Sequence, residues 1–216
     1  MEKIVLATGN PGKVRELADL FADHGIEIVP QDSLGVVEAE ETGLSFVENA
    51  ILKARNAARQ TGLPAIADDS GLAVDFLQGA PGIYSSRYAE RAGKGAGDAA
   101  NNALLLQQLG NAGEDQRGAS FYCVMAYLSH ADDPVPVIAQ GIWRGRILHQ
   151  PQGENGFGYD PLFWVAEKNC SSAQLEKSEK NRLSHRGKAL RSLMENLQER
   201  LFQANRHGDS SSHSSK

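Results

Sequence analysis

Several clusters of residues in this sequence have the types and spacing to do chemistry. The first is LATGNPGKV, where an apolar run stops at Thr8-Gly9-Asn10-Pro11-Gly12-Lys13. Backbone amides at a strand-to-helix turn, with the positive end of the helix dipole, make a phosphate site. Glycine lets an anion approach the backbone, Asn10 can donate a side-chain hydrogen bond, and Lys13 adds charge. The turn is not a Walker A loop. Only Asn10 and Pro11 separate Gly9 from Gly12-Lys13, and Val14 stands where that motif needs a hydroxyl for magnesium. The dinucleotide pattern GxGxxG is absent from it as well. A nucleotide phosphate bound here with magnesium must therefore find its metal ligands elsewhere in the chain. The plainer alternative is a capped helix entry with a surface lysine.

Two acidic clusters could supply such ligands. Asp68 and Asp69 follow the apolar residues Ala65-Ile66-Ala67, and Glu38, Glu40 and Glu41 lie in VEAEETG. Magnesium takes one or two protein carboxylates plus substrate phosphates and water. Adjacent aspartates repel unless solvent or a cation stabilises them. Read without a metal, the glutamates are a solvated loop and the aspartates a turn or helix cap. Further on, GENGFGYDP carries Phe157, Gly158, Tyr159 and Asp160, and three cationic donors, Lys180, His185 and Arg186, follow. An aromatic ring can stack on a base, and an acid can orient a ring N–H or a sugar hydroxyl. The alternatives are a tight turn whose aromatics return to the core and a structural or exposed histidine.

The elements that must position these residues can be read from periodicity. Ile4 to Ala7 predicts a short strand buried on both faces. Val14, Leu17, Ala18 and Phe21 recur at helical spacing, with Gly25 ending the helix and Ile26 to Val29 forming the next strand. Ser45-Phe46-Val47-Glu48 is a capping box that opens a helix through Arg59, stopped by Gly62-Leu63-Pro64. Ala65 to Ala67 predicts a third short strand with Asp68 and Asp69 at its carboxyl end, where open α/β sheets place ligands. GAPGIYSSRY is a loop, AGKGAGDAANN is flexible by composition, and Leu104 to Leu109 is helical. Phe121 to Leu128 and Val135 to Leu148 predict two strands joined at ADDPVP, the second bulged or bent at Gly141 and Gly145. Leu190, Leu193, Met194, Leu197 and Leu201 form one stripe of a last helix capped by Ser184. The fold class is α/β, with a long twisted mixed sheet and flanking helices. Residues 1–203 form one domain, and 204–216 form a disordered tail without apolar residues in HGDSSSHSSK.

Composition narrows the function. With 216 residues and a formal charge of -5, the chain is one ordinary domain and a poor candidate for a polynucleotide partner. Cys123 and Cys170 stand far apart in no metal-like spacing, which fits a reducing compartment. No apolar stretch reaches membrane-spanning length, and Met1-Glu2-Lys3 leads straight into a strand. A soluble, cytoplasmic protein is expected.

Taken in order, TGNPGK, EETGLSFVENAILKA, ADDSGL, GAPGIYSSRY, GFGYDPLF and SHRGKAL resemble the inosine triphosphate pyrophosphatase family, in its bacterial branch acting on dITP and XTP. The resemblance covers residues 1 to about 200. It implies two α/β lobes around a central cleft, a homodimer, and magnesium-dependent hydrolysis of a nucleoside triphosphate to monophosphate and pyrophosphate. By resemblance, Thr8 to Lys13 hold the triphosphate, and Glu40 or Glu41 is the metal-associated glutamate. Asp69 is implied as metal ligand and general base, with Ser70 on the substrate. Phe157 to Asp160, Lys180, His185 and Arg186 are implied as base and phosphate contacts, which makes Asp69, Glu41 and Lys13 the catalytic candidates. Ala89 to Asn102 departs from the family in being rich in alanine and glycine. Two rival readings are a related pyrophosphatase for methylated or pyrimidine triphosphates and a nucleotide-binding regulator without turnover.

Overall fold

The apolar tetrapeptide Lys3–Leu6 forms β1, buried except at its first residue. The computed structural model describes residues 3–22 and 27–208. After the turn, α1 (Pro11–Ala22) begins at Pro11, a residue suited to the first helical position because its missing N–H would be unpaired there anyway. Gly25 and Ile26 lie outside the described residues, as do the side chains of Leu17 and Phe21. β2 spans Glu27–Pro30.

Ser45 caps the helix as its sequence dictates, while Glu48 reaches back one residue further than a capping box requires. Ser45 Oγ accepts from Glu48 N, and the Glu48 carboxylate accepts from Leu44 N at 3.1 Å and from the Ser45 hydroxyl at 2.6 Å. This cap opens α2 (Phe46–Thr61), which Gly62 ends in the left-handed conformation at φ 68°. The buried face of α2 is almost all alanine: Ala50, Ala54, Ala57 and Ala58. Small residues let this helix lie close on the sheet. α3 (Tyr88–Arg91) is a single turn, and α4 (Asp98–Leu109) follows. Half of the segment read as flexible, from Asp98 on, is therefore helix. Its alanines favour that state, and the glycines at 93, 95 and 97, all with positive φ, form the connection before it.

β3 (Ala65–Val74), β4 (Gly118–Leu128) and β5 (Val137–Ile147) are the long strands. β6 (Phe163–Val165) and β7 (Cys170–Ser171) complete a seven-stranded sheet in the order β2-β1-β3-β4-β5-β6-β7. β1 is parallel to β2 and β3, and the remaining pairs are antiparallel. Two expectations are corrected here. β3 does not stop before Asp68 and Asp69 but runs five residues past them, because β4 pairs with its whole length from Ala65↔Leu128 to Val74↔Ala119. Nor does β5 bulge, since its register with β4 is unbroken from Arg146 to Val137. Gly141 and Gly145 serve close approach instead. A Cβ on Gly141 would fall on the His185 carbonyl and 2.6 Å from Ala189 N, and one on Gly145 would meet Trp164 O and the Phe163 ring.

α5 (Lys177–Leu183) leads to α6 (His185–Gly208), whose first turn is capped by Ser184 accepting from Gly187 N at 3.1 Å. Leu190, Leu193, Met194 and Leu197 bury the expected stripe, while the side chain of Leu201 lies outside the described residues. α6 is described to Gly208, through positions 204–208 that were assigned to the tail; residues 209–216 lie outside the description. Three apolar cores result. One packs α6 and Val14 against the face of the sheet bearing Leu6 and Ile66, and a second packs α2 against the opposite face at Val5, Ala65 and Ala67. The third, around Trp143, Phe121 and Phe163, fills the other lobe. Among the described residues no helix is long and apolar enough to cross a membrane.

Gly141→Ala is expected to cost about 2 kcal/mol through overpacking against the α6 backbone, lowering Tm by roughly 4–8 °C. A thermal melt unchanged from the parent would mean that α6 does not rest on β5.

Candidate active site

β1 pairs with β3 only as far as Leu6↔Ile66, and there the chain turns away at Ala7. β3 continues alone on that edge, so Asp68 and Asp69 stand just beyond the carboxyl end of the parallel strands. Further along, the 80–85 segment covers the edge: Leu72 N donates to Ser85 Oγ at 2.9 Å, and Gly71 has no room for a Cβ against Gly82 O and Ser85 Oγ. Between these two segments opens a cleft of about 700 Å³, lined from both lobes by the turn after β1, the acidic loop, Asp69, Arg87, Phe157 and His185 among others.

Alternation along β3 sends the two aspartates to opposite faces. Asp68 shares the face of Ile66, toward α1 and α6. It is fully buried and accepts Lys13 Nζ at 2.9 Å and the Ser70 hydroxyl at 3.2 Å, with Arg186 Nε at 3.8 Å. Burial alone would raise its pKa, but Lys13, Arg186 and Lys53 outweigh it and hold the carboxyl well below the usual range. Asp69 shares the face of Ala67, toward α2. There Asn49 Nδ2 reaches it at 3.2 Å and Lys53 Nζ at 3.1 Å. The same Lys53 ammonium donates to Glu41 at 2.9 Å, whose other oxygen takes Arg87 at 3.1 Å. Asn49 and Lys53 lie one helical turn apart on α2, and Asn49 Oδ1 also holds Gly43 N of the acidic loop at 2.8 Å. Burial raises the Asp69 pKa above its ordinary value despite Lys53 and Lys13. Burial would also raise Glu41, but Lys53 and Arg87 reverse that and lower it. Lys53 itself is pulled down by burial and more than restored by Asp69, Asp68 and Glu41.

The turn after β1 departs from the expected pattern in one respect. Asn10 Oδ1 caps α1, accepting from Gly12 N at 2.9 Å and Lys13 N at 3.2 Å, and Thr8 Oγ1 accepts from Asn10 N. These amides are therefore occupied. The side-chain donors left to face an anion are Asn10 Nδ2, the Thr8 hydroxyl and Lys13. A Cβ on Gly9 would meet the carboxylate tip of the exposed Glu38.

Across the cleft, Asp160 organises the glycine loop. Its carboxylate takes Phe157 N at 2.9 Å, Lys180 Nζ at 2.7 Å and the Ser172 hydroxyl at 2.9 Å. The Phe157 ring lies under Lys180 and Arg186, at 5.2 and 5.1 Å. Tyr159 is buried, with its hydroxyl donating to Ser85 O at 2.8 Å. His185 stacks on Phe121 at 4.8 Å, and burial, with Arg186 and Lys180 nearby, pushes its pKa well below 6.5. It is a neutral imidazole at neutral pH, and its buried Nδ1 has no partner among the described residues. Arg186 donates to Ser70 Oγ at 3.1 Å.

The structure thus brings the turn, Asp69, Ser70, Glu41, Lys180, His185 and Arg186 to one cleft. It distinguishes the two glutamates: Glu41 shares Lys53 with Asp69, whereas Glu40 is exposed in the loop. Pro11 and Gly12 form the helix start, and Gly158 and Tyr159 shape the opposite wall. Sequence reasoning missed Asn49, Lys53 and Arg87. A lysine one turn after an asparagine in a helix capped beside an acidic loop was the available signal for the first two. Among the described residues no three His, Cys, Asp or Glu side chains gather to hold a metal. Glu41 and Asp69, both within reach of one ammonium, instead make a two-carboxylate set. That set fits magnesium completed by substrate phosphates.

A two-lobed α/β fold with this cleft falls within a known class: residues 4–196 match the Ham1 family, and the chain belongs to it. It is 58% identical over 199 residues to a dITP/XTP pyrophosphatase of Vibrio cholerae, covering 92% of this chain and 98% of that one. To the protein of that name from Pectobacterium atrosepticum it is 60% identical over 197 residues, 91% and 98% of the two chains. The solved structure of a HAM1 protein from Coxiella burnetii matches with a TM-score of 0.84 at 49% identity, over 92% of this chain and all of that one. These findings bear out the family resemblance and the fold class.

Lys53→Met should strand two carboxylates and destabilise the fold by roughly 3 kcal/mol at pH 8 in chelator. Asp69, already raised by burial, would rise further. The folded state then binds more protons than the unfolded above the ordinary carboxylate value, so stability falls as pH rises through that window. Urea unfolding should accordingly show a smaller deficit at pH 5 than at pH 8; equal deficits would remove Lys53 from the pairing. Separately, the His185 ring resonances should keep neutral-imidazole shifts as the pH is lowered from 8 through the ordinary histidine midpoint. Titration near 6.5 would contradict its burial.

Proposed function

We propose that this protein hydrolyses deaminated purine nucleoside triphosphates, dITP, ITP and XTP, to the monophosphate and pyrophosphate, removing them from the nucleotide pool. The observation that carries this reading is the Lys53 clamp on Glu41 and Asp69, set across the cleft from Phe157 and His185 and beside the turn of Thr8 to Lys13. Relatives at 58–60% identity bear the name of that activity. The family resemblance also supports a cytoplasmic, magnesium-dependent homodimer.

Each residue takes a role from its surroundings. Thr8, Asn10 and Lys13 receive the triphosphate at the start of α1, where the helix dipole adds to their charge. Lys13 and Arg186 are already paired with Asp68, so they stand charged and oriented before substrate enters. Glu41 and Asp69 would hold magnesium, which supplies neutralisation of the triphosphate charge when bound. Asp69 accepts a proton from the water attacking the α-phosphorus. Asn49 and Lys53 fix its carboxylate for that role. Lys53 keeps the carboxylates in place, and Lys13 and Lys180 stabilise charge on the departing pyrophosphate.

Base choice follows from the opposite wall. Phe157 offers a ring face to a purine, and the neutral His185 and the guanidinium of Arg186 offer donors. An oxygen at purine position 6 accepts from such donors. An adenine amino group cannot, and would leave a buried donor unpaired at a cost of about 1–3 kcal/mol.

Incubation with ITP, dITP, XTP and ATP, with and without magnesium, should give monophosphate and pyrophosphate from the first three only, and nothing in chelator. Diphosphate with orthophosphate would identify a different bond and overturn the reading. Asp69→Asn should abolish turnover while the circular dichroism spectrum stays that of the parent; near-normal kcat would remove Asp69 from the reaction.

A further inference from the structure

Gly158 is held by both of its backbone groups from a single helix in the other part of the cleft wall. Its N–H donates to Asp98 Oδ2 at 2.7 Å, and its carbonyl accepts from Asn102 Nδ2 at 2.9 Å. Asp98 and Asn102 are four residues apart and therefore share one face of α4. We propose that this pair are positioning residues for nucleotide binding: by gripping Gly158 they set where Phe157 stands in the cleft. The inference rests on the nucleotide reading above.

The loop geometry gives the grip its leverage. Gly158 has φ +61°, so the chain reverses there between Phe157 and Tyr159. Tyr159 is anchored independently in the core, by burial and by its bond to Ser85 O. Phe157 is tied through its own N–H to Asp160, and the α4 pair supplies the hold on the peptide that follows its ring. A shift of Gly158 carries the ring relative to Lys180 and Arg186. It also moves the ring relative to the α1 entry, where a Cβ on Gly12 would lie 3.6 Å from it.

Asp98 adds a favourable charge to the first turn of α4, but Asn102 does little for the helix itself. The helix packs through Leu104, Leu105 and Leu109, and its N-terminus has no side-chain cap. Asn102 Oδ1 is buried with no hydrogen-bond partner. A leucine of similar size would abolish that unpaired acceptor, so the amide weighs against stability while its Nδ2 fixes the loop. The neighbouring Asn101 grips the other wall in the same way, accepting from Ala89 N at 2.8 Å and donating to Ser86 O at 3.1 Å. That segment carries Arg87, which holds Glu41. One helical turn thereby ties the aromatic wall to the carboxylate wall.

The test is steady-state hydrolysis of ITP and ATP by wild type, Asn102→Leu, Asp98→Ala and Asp98→Asn, with a thermal melt of each. Asn102→Leu should melt at or above wild type, yet raise KM for ITP about five- to tenfold, the worth of one hydrogen bond, with kcat little changed. Asp98→Ala should raise KM similarly, and Asp98→Asn, which keeps an acceptor, should restore most of it. In a Phe157→Ala background, Asn102→Leu should add nothing further. Unchanged KM in both Asn102→Leu and Asp98→Ala, or full additivity with Phe157→Ala, would overturn the proposal. Wild type inactive on ITP would instead sink the nucleotide reading itself and this inference with it.

Discussion

Two adjacent carboxylates in the interior of a ten-residue strand are the constraint around which this protein is built. Asp68 is fully buried and Asp69 nearly so, at 5% exposure. Neither would remain ionised there without a partner. Because strand side chains alternate, one partner set could not serve both. Asp68 draws Lys13 from α1 and Arg186 from α6, and Asp69 draws Lys53 and Asn49 from α2. The helices on the two faces of the sheet are thus tied to β3 by charge as well as by their apolar stripes.

The same pairing prepares the cleft. Lysine and arginine side chains that wait for a polyanion would repel one another if left unpaired. Here each is already held by an acid: Lys13 and Arg186 by Asp68, Lys53 and Arg87 by Glu41, Lys180 by Asp160. Such a site is rigid before substrate arrives, which lowers the ordering cost of binding. Its glycines follow from the same crowding. Gly71 makes way for the 82–85 segment, and away from the cleft Gly141 makes way for the backbone of α6.

Much of this was legible residue by residue. The Ser45 and Ser184 caps and the apolar stripe of α6 rest on contacts within a few residues, and each forms as its sequence predicts. What failed to show depended on distance. Asp68-Asp69 read as a strand end because local polarity argues against burial, and only pairing with β4 carries the strand past them. Gly141 and Gly145 read as bends because the helix and strand that press on them are contributed from elsewhere in the chain. Lys53 and Arg87 were not singled out at all, since Asp69 and Glu41 lie 16 and 46 residues from them respectively.

By itself the sequence determined the fold class, several of the charged residues that line the cleft, among them Lys13, Asp69, Lys180 and Arg186, and, through its motifs, the family. Those are properties of residue type, short-range periodicity and order along the chain. The tertiary structure alone decided which glutamate stands with Asp69 and which face of the sheet each aspartate serves. It also decided that Asn10 spends its carbonyl oxygen capping α1 and that Asp98 and Asn102 reach across to Gly158. Each of these is a choice among chemically equivalent partners, and only the packing of distant segments brings one of them within hydrogen-bonding distance.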